Sequence, residues 1–194
     1  MSFLLSLSRF IDALNEKIGS AVSWALFISV LICTGNALVR YVLHTSSNAW
    51  LEIQWYLFSA IFLLGASYTL RRNEHVRIDV VASRFSKRTQ VWIDIFGFFT
   101  FLLPMTLIIL YYAIPYAWIS IESQEMSSNA GGLIIWPAKL LIPVGFLLLT
   151  LQGLSEIIKR IGYLQGKVDA SAFEKQATTP EEEIEAIKAA NKIN

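Results

Sequence analysis

Four long apolar runs divide the chain: Ser20 to Leu43, Trp50 to Leu70, Val91 to about Ile114, and Trp136 to about Ile158. A helix crosses the hydrocarbon core of a bilayer in about 20 mostly apolar residues, so each run is long enough to span. The pattern predicts an all-α integral membrane protein with four transmembrane helices, because helices alone satisfy their own backbone groups in lipid along a single segment. The connection from His44 to Ala49 is short and mostly polar, which forces the first two spans into an antiparallel hairpin. No soluble domain of any size fits between the spans.

The flanks read differently. Leu7, Phe10, Ile11, Leu14 and Ile18 recur at helical spacing, while Arg9, Asp12, Glu16 and Lys17 fill other faces. This predicts an amphipathic helix over residues 1–19 lying in the cytoplasmic interface; a plain cytoplasmic extension of the first span is the alternative. The same charges, with no small-residue cleavage site after them, argue against a removed signal peptide. Residues 161–194 form a polar tail, and from Gln165 to Asn194 it is short of aromatics, so it is not expected to pack a core. Thr179-Pro180-Glu181-Glu182 is a helix-start pattern and predicts a short cytoplasmic helix from about Pro180 to Ala190. It would dock on a partner or remain a frayed tail.

Charge sets the orientation. The second connection carries Arg71, Arg72, Arg77, Arg84, Lys87 and Arg88, whereas the third, Pro115 to Ile135, carries Glu122 and Glu125 and no lysine or arginine. Basic residues stay on the side where the chain is made. The second connection and both termini are therefore expected in the cytoplasm, and the first and third connections outside. Trp50, Trp92, Trp118 and Trp136 near the span ends match an aromatic belt.

Composition excludes whole classes of function. With 55% hydrophobic and 16% charged residues and a mean hydropathy of +0.51, the chain has too few charges to coat a water-soluble globule. Its net charge of +1, with cations gathered at membrane borders, gives no nucleic-acid footprint. The single cysteine, Cys33, cannot form an intrachain disulfide and reads as a small packing residue within an apolar segment. His44 and His75, the only histidines, fall at opposite membrane faces and cannot jointly hold a haem or metal. No phosphate loop, cysteine cluster or nucleophile elbow is present. No enzyme active site and no cofactor are expected.

Polar residues inside spans are costly in lipid and turn toward protein or water. Ser29, Cys33, Asn36 and Arg40 share one face of the first span, and Arg40 near its outer end can pair with Glu52 at the start of the second. Equally, Arg40 can snorkel to phosphate headgroups. Gly145, Leu149, Gln152 and Glu156 share a face of the last span, with Lys159 placed to neutralise Glu156. On the third span Asp94, Gly97, Phe101 and Pro104 line one face, a polar start, a close-approach site and a kink. These sets read as helix contacts, since none forms a complete ion or substrate site and paired broken helices are missing. The acidic pair Glu122 and Glu125 could touch a periplasmic partner or stand as a solvated loop. Asp79 can cap a short interfacial helix that presents Arg84, Lys87 and Arg88 to headgroups.

Gly65-Ala66-Ser67-Tyr68-Thr69-Leu70, then His75-Val76-Arg77-Ile78-Asp79, preceded by Trp50-Leu51-Glu52, resembles the small membrane subunit of tripartite ATP-independent periplasmic (TRAP) transporters, the DctQ-like family. The likeness runs from about Ser20 to Arg160. Ser120-Ile121-Glu122-Ser123, Gly131-Gly132-Leu133, Trp136-Pro137-Ala138-Lys139 and Leu151-Gln152-Gly153 look like the mannitol/chloroaromatic-type branch. On that resemblance Trp50, Glu52, Gly65, His75, Val76, Arg77 and Asp79 are family-motif positions. It implies a scaffold subunit in the bacterial inner membrane that braces a separate large DctM-like subunit, which moves like an elevator and carries the sodium and substrate sites. A periplasmic solute-binding protein would deliver an organic acid or related solute. Membrane phospholipids are the other implied contact. Two rivals stand beside this reading. A small proton-coupled multidrug exporter would use Glu52 as its intramembrane carboxylate, and a haem-binding four-helix subunit is opposed by the separated histidines.

Overall fold

The computed structural model describes residues 2–45, 47–73 and 85–173. Within them the chain forms four helices long and apolar enough to cross a membrane: α1 (Ser2–Leu43), α2 (Asn48–Arg71), α3 (Lys87–Glu122) and α4 (Trp136–Leu164). His75, Val76, Arg77, Asp79, Arg84 and the Pro180 to Ala190 segment lie outside the described residues.

The separate interfacial helix expected over residues 1–19 is replaced by one uninterrupted helix of 42 residues. At 1.5 Å per residue α1 is about 63 Å long, twice a bilayer core. Nothing between Ile18 and Val22 breaks it, since Gly19 costs helix propensity without ending a helix. That glycine instead accepts the ring of Tyr68: a Cβ built there would stand 2.2 Å from the Tyr68 ring. His44 then takes a left-handed backbone, φ 52°, and ends α1. At the other end of the hairpin Asn73, φ 55°, closes α2 with its amide on the Leu70 carbonyl at 3.1 Å. Asparagine tolerates that conformation better than most residues.

Helix α3 is longer than its apolar run suggested. It starts at Lys87 under the Ser86 cap, whose Oγ accepts from the Thr89 amide, and it passes through Pro115 to Glu122. Pro115 removes only the one backbone bond that would reach Tyr111. The kink expected at Pro104 is a π-helical segment, Phe98–Leu102, in which the Leu103 amide reaches back five residues to the Phe98 carbonyl. Gly97 is not a close-approach site, for a Cβ built there meets nothing within 4 Å, and Phe101 is exposed. The buried stripe of α3 is instead Thr106, Ala113, Ala117 and Ser120.

Helix α4 is the hub. It packs against α1, α2 and α3, and 44% of its most apolar window is buried, against 11–17% in the other three helices. Apart from Leu148 and Pro143 its buried positions are small or polar, among them Gly145, Thr150, Gly153, Ser155 and Gly162. Lipid tails are as apolar as leucine, so membrane helices associate through close packing and internal hydrogen bonds, which small and polar residues permit. A Cβ at Gly145 would stand 2.8 Å from the Leu63 carbonyl oxygen of α2. Gly166, φ 68°, ends α4 with paired bonds: its own amide to the Tyr163 carbonyl at 2.9 Å and that of Lys167 to the Gly162 carbonyl at 3.0 Å. Beyond it the chain does pack, contrary to the composition of the tail. A 3₁₀ turn, Ala170–Ala172, brings Phe173 back against Tyr163, 5.5 Å between ring centroids, where it is buried.

Candidate functional site

Two polar assemblies occupy opposite ends of α4. At the C-terminal end of α4, where Arg71 and Arg72 close α2, polar stripes on α1 and α4 interlock. Ser8, Asp12 and Asn15 recur at helical steps on α1, and Gln152, Ser155, Glu156 and Lys159 do so on α4. The Asn15 Nδ2 donates to Gln152 Oε1 at 2.7 Å, and the Gln152 Nε2 donates to Asp12 Oδ1 at 2.9 Å and to Glu156 Oε1 at 3.0 Å. Ser155 Oγ donates to Asp12 at 2.9 Å and shares a 2.7 Å bond with Ser8 Oγ. Lys159 bridges Asp12, at 3.2 Å, and Glu156. Arg160 pairs with Glu156 and donates from Nε to Asp94 of α3 at 3.0 Å.

Glu156 and Arg160 are 2% and 1% exposed, so this is a buried ionic lock. Charges taken from water are tolerated only when paired and hydrogen-bonded, and here every one of them is. Phe98 and Phe173 flank the Arg160 guanidinium at 4.7 and 5.0 Å, adding cation–π contact. Phe98 belongs to the π segment of α3, so the lock also fixes that irregular turn against α4. Beside it, Glu16 of α1 takes both Arg71 and Arg72, the latter at 3.0 Å, and Arg72 lies 5.0 Å over the Tyr68 ring.

At the N-terminal end of α4, one carboxylate organises the α3–α4 loop. Glu52, buried in the first turns of α2, accepts from the Ser127 hydroxyl, from Asn129 Nδ2 at 2.9 Å and from the Leu133 amide at 2.6 Å. Asn48 and Tyr56, one turn either side of it, donate to the carbonyls of Ala130 and Ile134 at 2.9 and 2.8 Å. Three turns of α2 thus grip one loop. The loop is itself pinched by the Ser127 amide on the Leu133 carbonyl and the Ile135 amide on the Glu125 carbonyl, both at 2.9 Å. Gly132 permits the approach, because a Cβ there would stand 2.9 Å from Glu52 Oε1. Glu125 accepts from Ser120 at 2.7 Å and pairs with Lys139, whose Nζ lies 4.2 Å from the Tyr116 ring centroid. The lysine holds the Glu125 carboxyl below the usual carboxylate range, with the Ser120 bond adding to it.

Several expectations fail here. No ion pair joins Arg40 to Glu52 among the described residues: the carboxylate points into the loop, and Arg40 is exposed beside Cys33, Asn36 and Gln54. The face of α1 built on Ser29, Cys33, Asn36 and Arg40 is only partly inward, with Ser29 buried, Asn36 half-buried and Cys33 exposed. Glu125 is half-buried and held by Lys139 and Ser120. Glu122 is exposed and accepts from Trp118 Nε1 at 2.7 Å. Trp50 is exposed, and Gly65 has only Val22 near it, 3.9 Å from its notional Cβ. Gln152 and Glu156 do lie in a helix contact, at the centre of the lock.

Sequence reasoning missed Ser8, Asp12 and Asn15 as partners of α4, and it put Asp94 on a helix-contact face without naming Arg160. The signal for the first three was their four-and-three spacing on α1. The loop donors carried no such signal, since a backbone amide such as that of Leu133 has no sequence signature. Among the described residues no group of three or more His, Cys, Asp or Glu side chains is placed to hold a metal ion.

No curated protein and no solved structure matched the chain. Residues 29–162 match the family model described as "Tripartite ATP-independent periplasmic transporters, DctQ component", a stretch that holds the C-terminal third of α1, all of α2 and α3, and nearly all of α4. The chain belongs to this transporter-component family.

Proposed function

We infer that the chain is the small, non-transporting scaffold subunit of a TRAP system, of the mannitol/chloroaromatic-type branch, bracing a separate large DctM-like membrane subunit. In this reading the large subunit carries the sodium and substrate sites, a periplasmic binding protein delivers an organic acid or related solute, and this chain holds the stationary part of the assembly in the inner membrane. Both termini face the cytoplasm, which puts the ionic lock at the inner border and the Glu52 loop outside.

One observation carries the reading: the charged side chains buried between helices are consumed in tying α1, α3 and α4 together. A transport site needs polar groups that exchange partners with a solute, whereas a brace needs them locked. The apolar faces left open on α1 and α3, including Trp24, Phe27, Phe99, Phe101 and Tyr112, suit lipid and a large membrane partner. The exporter alternative would require Glu52 to cycle protons with a substrate, and its carboxylate is committed to Ser127, Asn129 and Leu133.

Purification of the tagged full chain in mild detergent tests this. A large multi-span protein is expected to come with it in stoichiometric amount. A homodimer that alone drives proton-coupled efflux in liposomes would overturn the proposal. Membrane-impermeant labelling of single cysteines at Lys167 and Gln124 checks the orientation separately, with only the second expected to react from the periplasm.

A further inference from the structure

A cavity of about 510 Å³ opens between the start of α1, the end of α2 and the segment after α4. Arg9, Arg71, Arg72, Lys159 and Lys167 line it against two carboxylates, Asp12 and Asp169. Not all of that charge is free. Lys159 is committed to Asp12 and Glu156, and Arg71 and Arg72 share Glu16. That leaves one carboxylate for two guanidinium groups, and Arg72 Nε is buried with no hydrogen-bond partner among the described residues. Among the described residues Arg9 bonds within its own helix, with Nε 3.4 Å from the Leu5 carbonyl. Neither Arg9 nor Lys167 is in an ion pair among the described residues. Among the described residues the cavity is therefore a concave surface whose guanidinium and ammonium donors outnumber its carboxylates. Its walls are fixed by the stacking of Arg72 on Tyr68 and by the ionic lock.

We propose that this cavity binds the phosphate headgroup of an anionic phospholipid. Basic pockets between membrane helices at the cytoplasmic border attract such headgroups, each cation near the surface strengthening the interaction. A lipid fits better than a free anion because the cavity lies at the ends of three membrane-spanning helices, and α1 exposes Leu4, Leu7 and Phe10 along the same stretch as Arg9. Acyl chains have apolar surface to follow there. The choice of inner-leaflet lipid rests on the orientation proposed above; the preference for an anionic headgroup does not. A bound lipid would tie the N-terminal third of α1 to α2 and to the segment after α4, stiffening the brace.

The test titrates phosphatidylglycerol or phosphatidylcholine into the full chain in mild detergent and counts bound lipids by native mass spectrometry. Phosphatidylglycerol is expected to bind about tenfold more tightly, and the Arg9→Gln, Lys167→Gln double variant should lose that preference. Arg40→Gln, at the other end of α1, should keep it. Lys167→Gln alone lies on an exposed turn and gives the reading if the double variant unfolds, with a partial loss of preference expected. Equal binding of the two lipids by the unaltered chain, or full preference in the variants, would overturn the proposal. Displacement of phosphatidylglycerol by an equal concentration of inorganic phosphate would also overturn it, by revealing a free-anion site. Because the assay is done in detergent, a wrong orientation would leave its outcome unchanged and would appear only in the cysteine labelling.

Discussion

The two ends of α4 are held by opposite designs. At its C-terminal end, carboxylates and cations from three helices share one another: Asp12 and Glu156 both meet Lys159, and Glu156 and Asp94 both meet Arg160. At its N-terminal end a single carboxylate, Glu52, serves as hub for a loop, and one of its donors is a backbone amide. The first arrangement joins helix to helix through cations that each meet two carboxylates. The second joins loop to helix through neutral donors. The former suits helices that must stay together, and the latter suits a surface loop that must keep its shape.

The largest effect should follow from breaking the shared lock. Arg160→Leu leaves Glu156 and Asp94 short of a cation inside the bundle and should cost about 3–5 kcal/mol of stability, the usual result of leaving one charge of a buried pair unmatched. Thermal or denaturant unfolding in detergent measures it, and a cost near zero would mean that Lys159 takes over. Next come the glycines between the two ends. Gly145→Ala pushes a methyl against the backbone of Leu63 and should cost about 1–3 kcal/mol. Gly153→Ala meets the tip of the Leu102 side chain, 2.6 Å from Cδ2, which can turn aside, so its cost should be smaller. Equal costs would show that the approach of α2 to α4 is looser than the geometry indicates.

Glu52→Gln should act locally. Hydrogen exchange at Leu133 and Ser127 should quicken several-fold while exchange in α4 near Gln152 stays unchanged. Combined with Arg160→Leu, its effect on unfolding should add, since the two sites share no partner. Coupling between them would break the contrast between the ends. The smallest effect concerns acid. The Glu125 carboxyl titrates below its ordinary range in the folded chain, so the stability it adds is complete at neutral pH and is lost as pH falls through that lowered value. Exchange across Glu125 to Ile135 should therefore rise only in that acid window, and Glu125→Gln should remove the part of the rise due to this group.

The positive border and the apolar runs made the four spans legible without any tertiary information, because lipid forces apolar length and backbone self-satisfaction on any segment that crosses it. The hairpin and the central polar face of α4 followed from short-range spacing. Boundaries shifted where local chemistry was ambiguous. Pro115 looked like a helix end and is a helix interior, and Gly97 looked like a contact and faces open space. The partners of the polar face of α1 stayed hidden because a sequence shows that Ser8, Asp12 and Asn15 align, not what they align against.

Pairing itself was the decision of the tertiary structure. Glu52 had two chemically reasonable partners, Arg40 across a short turn and the donors of a loop some 75 residues away in sequence; only the arrangement of α2 against α4 brings the loop within reach. Lys139 shows the same dependence: in sequence it is a lone cation at the start of an apolar run, and in the fold Glu125 neutralises it. Phe173 lay in a segment whose composition forecast no packing, yet one buried arginine gave its ring a surface to cover. Periodicity and hydropathy are properties of the chain that lipid reads directly, so the sequence alone set the helices. Which polar groups meet depends on helix rotation and approach, which small residues such as Gly145 and Ala113 permit and only packing fixes.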